Sequence, residues 1–302
     1  MEHAILALCA ILLNAVLVGP RRFYTNLPLF LITRQPAQWI RHLERKLNRD
    51  QRSAKERQVR GIILLGGAVA ISIFLGWFMG LLPEFFELAA LVLLLPIRPS
   101  FDTAIDIRKY VQAGEMVDAR NVLSGTVWRH HALLDEPGVL RAAMELLVMQ
   151  FAEKILCPVF WYVIFGLPGL LAARLITLMH ETISPGASEQ FGLATRVAYI
   201  ALHYVPAYIT AFFCVMAAFF LGHGKAVAKH IWESIQLSLP LMILSTAASA
   251  LQVSLGGPSS PYTQGVWVGS GTPKPTTLDI RRGLYLFGLL NMFLFVLLGL
   301  FV

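Results

Sequence analysis

The sequence predicts an all-α integral membrane protein with about five to seven membrane segments, one of them broken or re-entrant. Three observations support this class. Hydrophobic residues make up 56% of the 302 residues, charged residues make up only 14%, and the mean hydropathy is +0.64. Such a composition excludes an ordinary soluble domain. We therefore predict a single membrane domain over residues 1–302, with amphipathic helices on the cytoplasmic side.

The N-terminal part of the chain combines a first helix, a basic loop and two further spans. The apolar run Ala4–Val18 follows an acid and a histidine, unlike the basic start of a signal peptide, so we predict a retained helix. The loop over 33–60 is strongly basic, with nine Lys or Arg against three acids between Arg34 and Arg60. This bias predicts a cytoplasmic loop and explains the net charge of +7 without a nucleic-acid partner. Gly61–Leu82 and Phe85–Ile97 are the next predicted spans.

The polar region 100–154 predicts three amphipathic helices, of which Gly114 ends the first and Asp135 opens the third. Arg129 precedes two histidines that lack an i, i+4 partner, so this cluster does not predict a metal site. Glu145 and Glu153 lie eight residues apart in sequence, slightly over two helical turns, and therefore share a helical face. Such a pair holds Mg²⁺ together with substrate phosphates, or else it is simply a solvated face. Both interpretations stay open at this point.

The segment Ile155–Met179 is apolar but interrupted by helix breakers at Pro158 and at Gly166–Gly169. Irregular backbone at membrane depth is tolerated where it faces protein or a water-filled cavity, so we predict the functional cavity at the stretch Glu145–Gly169. The segment either crosses the membrane once or turns back at Gly166–Gly169. Val197–Leu221 and Gly283–Val302 are the last two predicted spans.

The loop over 252–283 is rich in Gly, Pro, Ser and Thr and contains Trp267, which predicts an ordered loop. Its Gly269-Ser270-Gly271 would let the backbone approach a phosphate closely. Near the N terminus, Arg21 and Arg22 either extend toward the membrane surface or bind an anion.

Five stretches of this chain resemble the adenosylcobinamide-phosphate synthase (CobD/CbiB) family of cobalamin biosynthesis. They are GPRR at 19–22, the polar segment at 113–145, CPVFWYVIFGLPG at 157–169, FGLATRVAYIALHYVPAYIT at 191–210, and the loop from LGGP to DIRR at 255–282. Together they follow the family's order along nearly the whole chain, and the last loop is the most specific. A more distant resemblance connects the chain to AmpE, a regulatory membrane protein.

The resemblance implies a multi-pass protein of the bacterial inner membrane whose main polar loops are cytoplasmic. It implies an ATP-dependent amide-forming ligase, which joins adenosylcobyric acid to aminopropanol or its phosphate and yields adenosylcobinamide or its phosphate. ATP and Mg²⁺ are the implied cofactors, and a corrinoid small molecule and membrane lipids are the implied partners. The oligomeric state stays open.

This chemistry needs acids for the metal and cations or Gly-rich backbone for phosphates. The predicted catalytic residues are Glu145 and Glu153, which would also hold Mg²⁺. The predicted substrate- and phosphate-binding residues are Arg21, Arg22, Arg129, Gly256, Gly257, Trp267, Gly269, Asp279 and Arg282.

The chain departs from the family where the resemblance implies polar or acidic residues. Those positions correspond to Met149 and Gln150, to Thr177 and His180, and to the apolar stretch Tyr199–Leu202. Because Mg²⁺ is held by one or two carboxylates with phosphates, fewer acids weaken such a site. The alternative function is therefore a catalytically inactive paralogue that acts as an AmpE-like membrane sensor or partner protein.

Overall fold

A computed structural model describes residues 2–16, 29–49, 51–123, 131–183, 189–263 and 265–302. The described residues form an almost entirely helical protein, which confirms the all-α class. The helices are α1 (Glu2–Val16), α2 (Leu29–Leu47), α3 (Ala54–Met79), α4 (Glu84–Leu94), α5 (Ile97–Gln112), α6 (Met116–Leu123), α7 (Glu136–Gln150), α8 (Cys157–Thr182), α9 (Glu189–Phe220), α10 (Gly224–Ile235), α11 (Leu239–Leu251) and α12 (Thr277–Gly299). A 3₁₀ turn (His131–Leu133), a π-helical turn (Phe151–Leu156) and the strands β1 (Leu255–Gly256) and β2 (Trp267–Val268) complete the described elements.

Five helical stretches of the described chain are long and apolar enough to cross a membrane. They are Ala54–Met79, Glu84–Gln112, Glu136–Thr182, Glu189–Phe220 and Thr277–Gly299. Two shorter apolar helices, Glu2–Asn14 and Leu239–Leu251, accompany them. The number of long stretches agrees with the predicted range, and the chain is a multi-pass membrane protein.

Local sequence signals set several helix ends. Ser53 and Glu56 form a capping box at the start of α3, in which each side chain accepts a hydrogen bond from the other residue's backbone N–H. Asp135 opens α7 by accepting a hydrogen bond from the Gly138 N–H at 2.9 Å, as predicted. Gly114, with a φ of 78°, follows the end of α5. The three predicted helices of region 100–154 are therefore present, but α7 is buried along most of its length rather than amphipathic.

The described chain divides into two compact units. The first comprises Met1–Leu95, Glu153–Tyr204 and Leu298–Val302, and the second comprises Pro96–Ala152 and Val205–Leu297. The single domain over 1–302 stays a prediction. The first unit has a core cluster of Ile40, Met179, Ile183 and Phe191.

Within the first unit, α8 is a helical hairpin rather than one straight helix. Gly166 interrupts it with a φ of 66° and a ψ of -153°. This is a conformation that essentially only glycine adopts. Beyond this break the chain reverses, because Lys154 Nζ lies 2.9 Å from Glu181 Oε1. A straight helix over the same positions would separate the two residues by about 40 Å. Of the two alternatives for the broken segment, the structure therefore selects the turn back at Gly166–Gly169.

The approach of α3 to this turn depends on a second glycine. A Cβ on Gly76 would lie 2.5 Å from the Pro168 Cα and backbone N, closer than real Cβ contacts occur. A larger residue at position 76 would therefore push α3 away from the hairpin turn.

In the second unit, the predicted ordered loop is built around a two-strand ladder. β1 pairs antiparallel with β2, with Leu255 opposite Val268 and Gly256 opposite Trp267. The loop packs against the end of α11, where a Cβ on Gly271 would meet the Gln252 backbone carbon at 2.1 Å. Close backbone packing therefore explains why position 271 is a glycine.

Candidate functional site

A small, open cleft lies in the second unit between α7 and the Gly-Gly-Pro loop. Two of the predicted binding residues, Gly256 and Trp267, line it. The other lining residues are Leu134, Gly138, Arg141, Pro258 and Ser259. The cleft thus combines one cation, one hydroxyl and one large aromatic ring, which is a composition suited to a small polar ligand with a flat part.

Glu145 holds the Gly-Gly-Pro loop in place at this cleft. Its carboxylate accepts a hydrogen bond from the Gly256 N–H at 2.7 Å and another from the Ser260 hydroxyl at 2.6 Å. The side chain is 0% exposed, so the interpretation of Glu145 as part of a solvated helix face is wrong. A buried carboxylate with two charge-assisted hydrogen bonds fixes the loop relative to α7.

Two adjacent glycines allow the loop to pass beneath Trp267. Gly256 and Gly257 have φ values of 85° and 88°, which disfavour other residues. A Cβ on Gly257 would lie 2.6 Å from the Trp267 ring, and the Gly257 N–H donates to the Val266 carbonyl at 2.9 Å. The glycines therefore set the position of the Trp267 ring.

Arg141 forms the charged wall of the cleft. Its guanidinium carbon lies 4.6 Å from the centre of the Trp267 ring, and its Nη1 donates to the Pro273 carbonyl at 2.6 Å. The cation–π contact and the hydrogen bond orient the guanidinium, which has five N–H donors in total. Arg141 was not among the residues predicted from the sequence. Its position one turn before Glu145, on the same side of α7, is the signal that could have identified it.

Three other predicted binding residues have structural partners away from this cleft. Gly269, with a φ of 84°, packs against α11, because a Cβ there would lie 2.5 Å from the Ala248 Cβ. Asp279 accepts hydrogen bonds from the backbone N–H and the hydroxyl of Thr276 at the start of α12. Arg282 donates to Asp279 at 3.1 Å. Their binding roles stay predictions.

Arg21, Arg22 and Arg129 lie outside the described residues. Their predicted roles in binding anions or phosphates therefore stay predictions.

Glu153 lies in the first unit and has different partners. Its carboxylate is largely buried and accepts a hydrogen bond from the Tyr199 hydroxyl at 2.6 Å. The rings of His180 and His203 stack on Tyr199, with centroids 4.0 and 4.1 Å away. Thr177 Oγ1 lies 3.3 Å from His203 Nε2.

Three positions where the resemblance implies other polar residues, Thr177, His180 and Tyr199, thus come together around Glu153. Here they form a polar and aromatic surrounding for Glu153, and the ion pair of Lys154 with Glu181 lies near its carboxylate. Within the described residues, no group of three or more His, Cys, Asp or Glu side chains is placed to hold a metal ion. The shared metal-binding role of Glu145 and Glu153 stays a prediction.

Comparisons with known proteins relate nearly the whole chain to one family. The family model described as "CobD/Cbib protein" matches residues 7–287. The "Cobalamin biosynthesis protein CobD" of Rhodobacter capsulatus is 26% identical over 299 residues, covering 95% of this chain and 93% of the relative. Proteins of the same name from Stutzerimonas stutzeri and Chromobacterium violaceum are 27% and 28% identical, covering 82% and 78% of this chain and 80% and 81% of their own lengths.

No solved structure matches this chain. The match to the family model runs from within α1 to the middle of α12 and so includes both compact units. The chain is therefore a multi-pass membrane protein that belongs to the CobD/CbiB family.

Proposed function

We propose that this chain is a membrane enzyme of cobalamin biosynthesis that forms an amide bond with the help of ATP. The substrates in this proposal are adenosylcobyric acid and aminopropanol or its phosphate, and the product is adenosylcobinamide or its phosphate. The membership in the family and the names of its relatives support the pathway. The reaction itself rests on the resemblance and on the chemistry of the cleft.

The observation that supports this function best is the ordered cleft built by the Gly-Gly-Pro loop. The loop that carries the most specific resemblance is the same loop that Glu145 fixes beside Arg141 and Trp267. A carboxylate buried for this purpose indicates that the loop geometry matters, because burying a charge is costly unless hydrogen bonds compensate it. The loop is therefore held ready for a ligand rather than ordered by one.

The residues of the cleft fit a phosphate group. The Arg141 guanidinium and the Ser259 side chain line one space, and a guanidinium fork binds phosphate oxygens in a defined geometry. Trp267 is 48% exposed. Part of its ring is therefore available to contact an apolar part of the substrate, where Arg141 and Gly257 leave the ring uncovered. We assign Arg141 to phosphate binding and Trp267 to this contact.

The same residues do not provide an evident magnesium site. Glu145 is fully buried and both of its carboxylate oxygens accept hydrogen bonds, so the oxygens are shielded from a hydrated ion. Mg²⁺ keeps several waters and binds through accessible carboxylates and phosphates. We therefore assign Glu145 to holding the loop.

Amide formation requires that the carboxylate lose an oxygen, which an unactivated carboxylate does not do at neutral pH. When bound, ATP supplies the phosphoryl group that carries this oxygen away. The protein must then hold the phosphate, align the amine with the carbonyl carbon, and keep water from the activated group. Arg141 serves the first need, and the Trp267 ring shields one side of the cleft.

Complementation tests the proposal. A cell that lacks its own synthase, supplied with cobyric acid, should regain cobalamin-dependent growth when it produces this chain in its membrane. An Arg141→Ala chain, present in equal amount, should support at least tenfold slower growth because the phosphate loses its cation. Absence of growth with the unchanged chain, shown to be in the membrane, would contradict the proposal.

A second candidate function is the inactive paralogue that serves as a membrane sensor or partner. The observation that favours it is the surrounding of Glu153. Tyr199 and His180 contact each other there, at positions where the resemblance implies acidic or other polar side chains. Under this alternative the chain binds a corrinoid without turnover. Binding measured with purified chain, together with failed complementation, would support it.

A further inference from the structure

We propose that the exposed face of α2 binds the headgroups of anionic phospholipids at the surface of the membrane that the chain spans. We call this surface the cationic face. It comprises Trp39, Arg41, Arg45, Lys46 and Arg49, all of them exposed.

The charged residues of this face all carry a positive charge. Arg41, Arg45 and Arg49 follow one another at intervals of four residues, so they form a row along one side of the helix and its immediate continuation. Glu44 is the single acid in α2, and it is half-buried. A solvated helix face ordinarily mixes charges of both signs, whereas the described charged residues of this face are all cations.

The opposite side of α2 shows where the helix lies relative to the membrane. Ile40 belongs to the core cluster of the first unit, and Leu64 and Leu65 of α3 pack against this cluster. The apolar stretch of α3 begins at Gly61, so these two leucines lie at its N-terminal end. Because α3 is long and apolar enough to span a membrane, α2 is placed at the level of the membrane–water boundary.

Trp39 provides a second, independent indication. Its side chain is 66% exposed on the same helix, on the side that carries Lys46 two turns later. Tryptophan is enriched at membrane–water boundaries because its ring is apolar and its indole N–H is polar. An exposed Trp on the exposed half of a helix that also carries a row of arginines therefore fits a lipid headgroup layer better than open solvent.

The charge complementarity selects anionic phospholipids over neutral ones. Basic residues beside a membrane surface each add to the attraction toward anionic lipid, and three of them together contribute on the order of a hundredfold in affinity. The side chains reach from a helix that is itself anchored by Ile40, so headgroups meet a rigid row of cations. Nucleic acid and an acidic protein are the competing occupants.

The test measures lipid binding to the purified full-length chain in neutral detergent by native mass spectrometry. Phosphatidylglycerol and phosphatidylcholine with the same acyl chains are titrated separately. The triple variant Arg41→Gln, Arg45→Gln, Arg49→Gln should lose at least tenfold of the preference for phosphatidylglycerol. The charge-preserving triple variant with Lys at these three positions should keep the preference, which also shows that the site tolerates substitution.

A matched control removes three exposed cations elsewhere, with Lys109→Gln, Lys225→Gln and Lys274→Gln. This control should keep the preference within about twofold. Equal loss in both Gln variants would show that the preference follows net charge, and retention in both would show that lipid binds elsewhere. Either result overturns the proposal.

Trp39 gives an independent measurement in vesicles that contain brominated phosphatidylglycerol. Quenching of tryptophan fluorescence by the brominated lipid should fall when Trp39→Phe is introduced. Unchanged quenching would place Trp39 outside the lipid layer and overturn the proposal.

A short single-stranded oligonucleotide that displaces bound phosphatidylglycerol from the unchanged chain, but not from the Gln variant, would make nucleic acid the occupant instead.

Discussion

Replacing Glu145 by alanine should release the Gly-Gly-Pro loop. The substitution removes two charge-assisted hydrogen bonds, to the Gly256 N–H and to the Ser260 hydroxyl. Each such bond contributes about 1.5–3 kcal/mol, and the Gly256 N–H is left without its partner in a buried place. A loss of about 3 kcal/mol in local stability corresponds to a drop on the order of a hundredfold in the protection of the loop against hydrogen exchange.

Hydrogen exchange measured by mass spectrometry on the peptide that covers 253–268 checks this value. Glu145→Gln should lower the protection by less than about tenfold, because its amide oxygen still accepts from the Gly256 N–H and its amide N–H can donate to Ser260. Ser260→Ala should have an effect between these two. Glu136→Ala is the matched control, since Glu136 is an exposed acid on the same helix.

Unchanged protection in Glu145→Ala would refute the loop-holding role. The Mg²⁺ requirement separates this role from a metal role. If Glu145 only holds the loop, Glu145→Gln keeps the Mg²⁺ concentration for half-maximal activity, whereas a metal ligand would shift this concentration upward.

Three further predictions follow from the contacts described above. Trp267→Ala should raise the KM of the substrate that contacts the ring about tenfold with little change in kcat, measured by steady-state kinetics; a change in kcat alone would contradict a binding role. Gly166→Ala should cost about 1–3 kcal/mol and lower the melting temperature by several degrees, whereas Gly67→Ala, which has open space around it, should not; equal melting temperatures would contradict the strained turn. Lys154→Glu should lower the melting temperature by about 5 °C, and adding Glu181→Lys should restore it; no recovery would argue against the hairpin contact.

The sequence predicted those features of the fold that depend on local pattern. Hydropathy identified the spans, and the roles of Asp135 and Gly114 at helix ends followed from capping chemistry. It left the course of the broken segment open, because a Gly-Leu-Pro-Gly sequence is compatible with a kink and with a reversal. The reversal is shown by the contact between Lys154 and Glu181, two residues that are far apart in the chain.

The candidate site shows the same limit. Composition predicted an ordered loop, and the family resemblance named Gly256, Gly257 and Trp267 as binding residues. The structure places Gly256 and Trp267 at the cleft, and the binding roles stay predictions. The burial of Glu145 was not predicted. Its partner Gly256 lies 111 positions away, and nothing in the local pattern of α7 indicates that this face is covered. Glu145 and Glu153 formed a pair by helical spacing alone, whereas their hydrogen-bond partners belong to different units.

The most direct test of the central claim is formation of the amide by the purified chain in lipid vesicles. Adenosylcobyric acid, aminopropanol phosphate, ATP and Mg²⁺ are supplied, and the corrinoid product is identified by its mass. We predict a product whose mass is that of the two substrates less one water, formed only with ATP, and at least tenfold less of it with Arg141→Ala. Corrinoid binding without any product, under conditions where a relative from the same family is active, would contradict the claim.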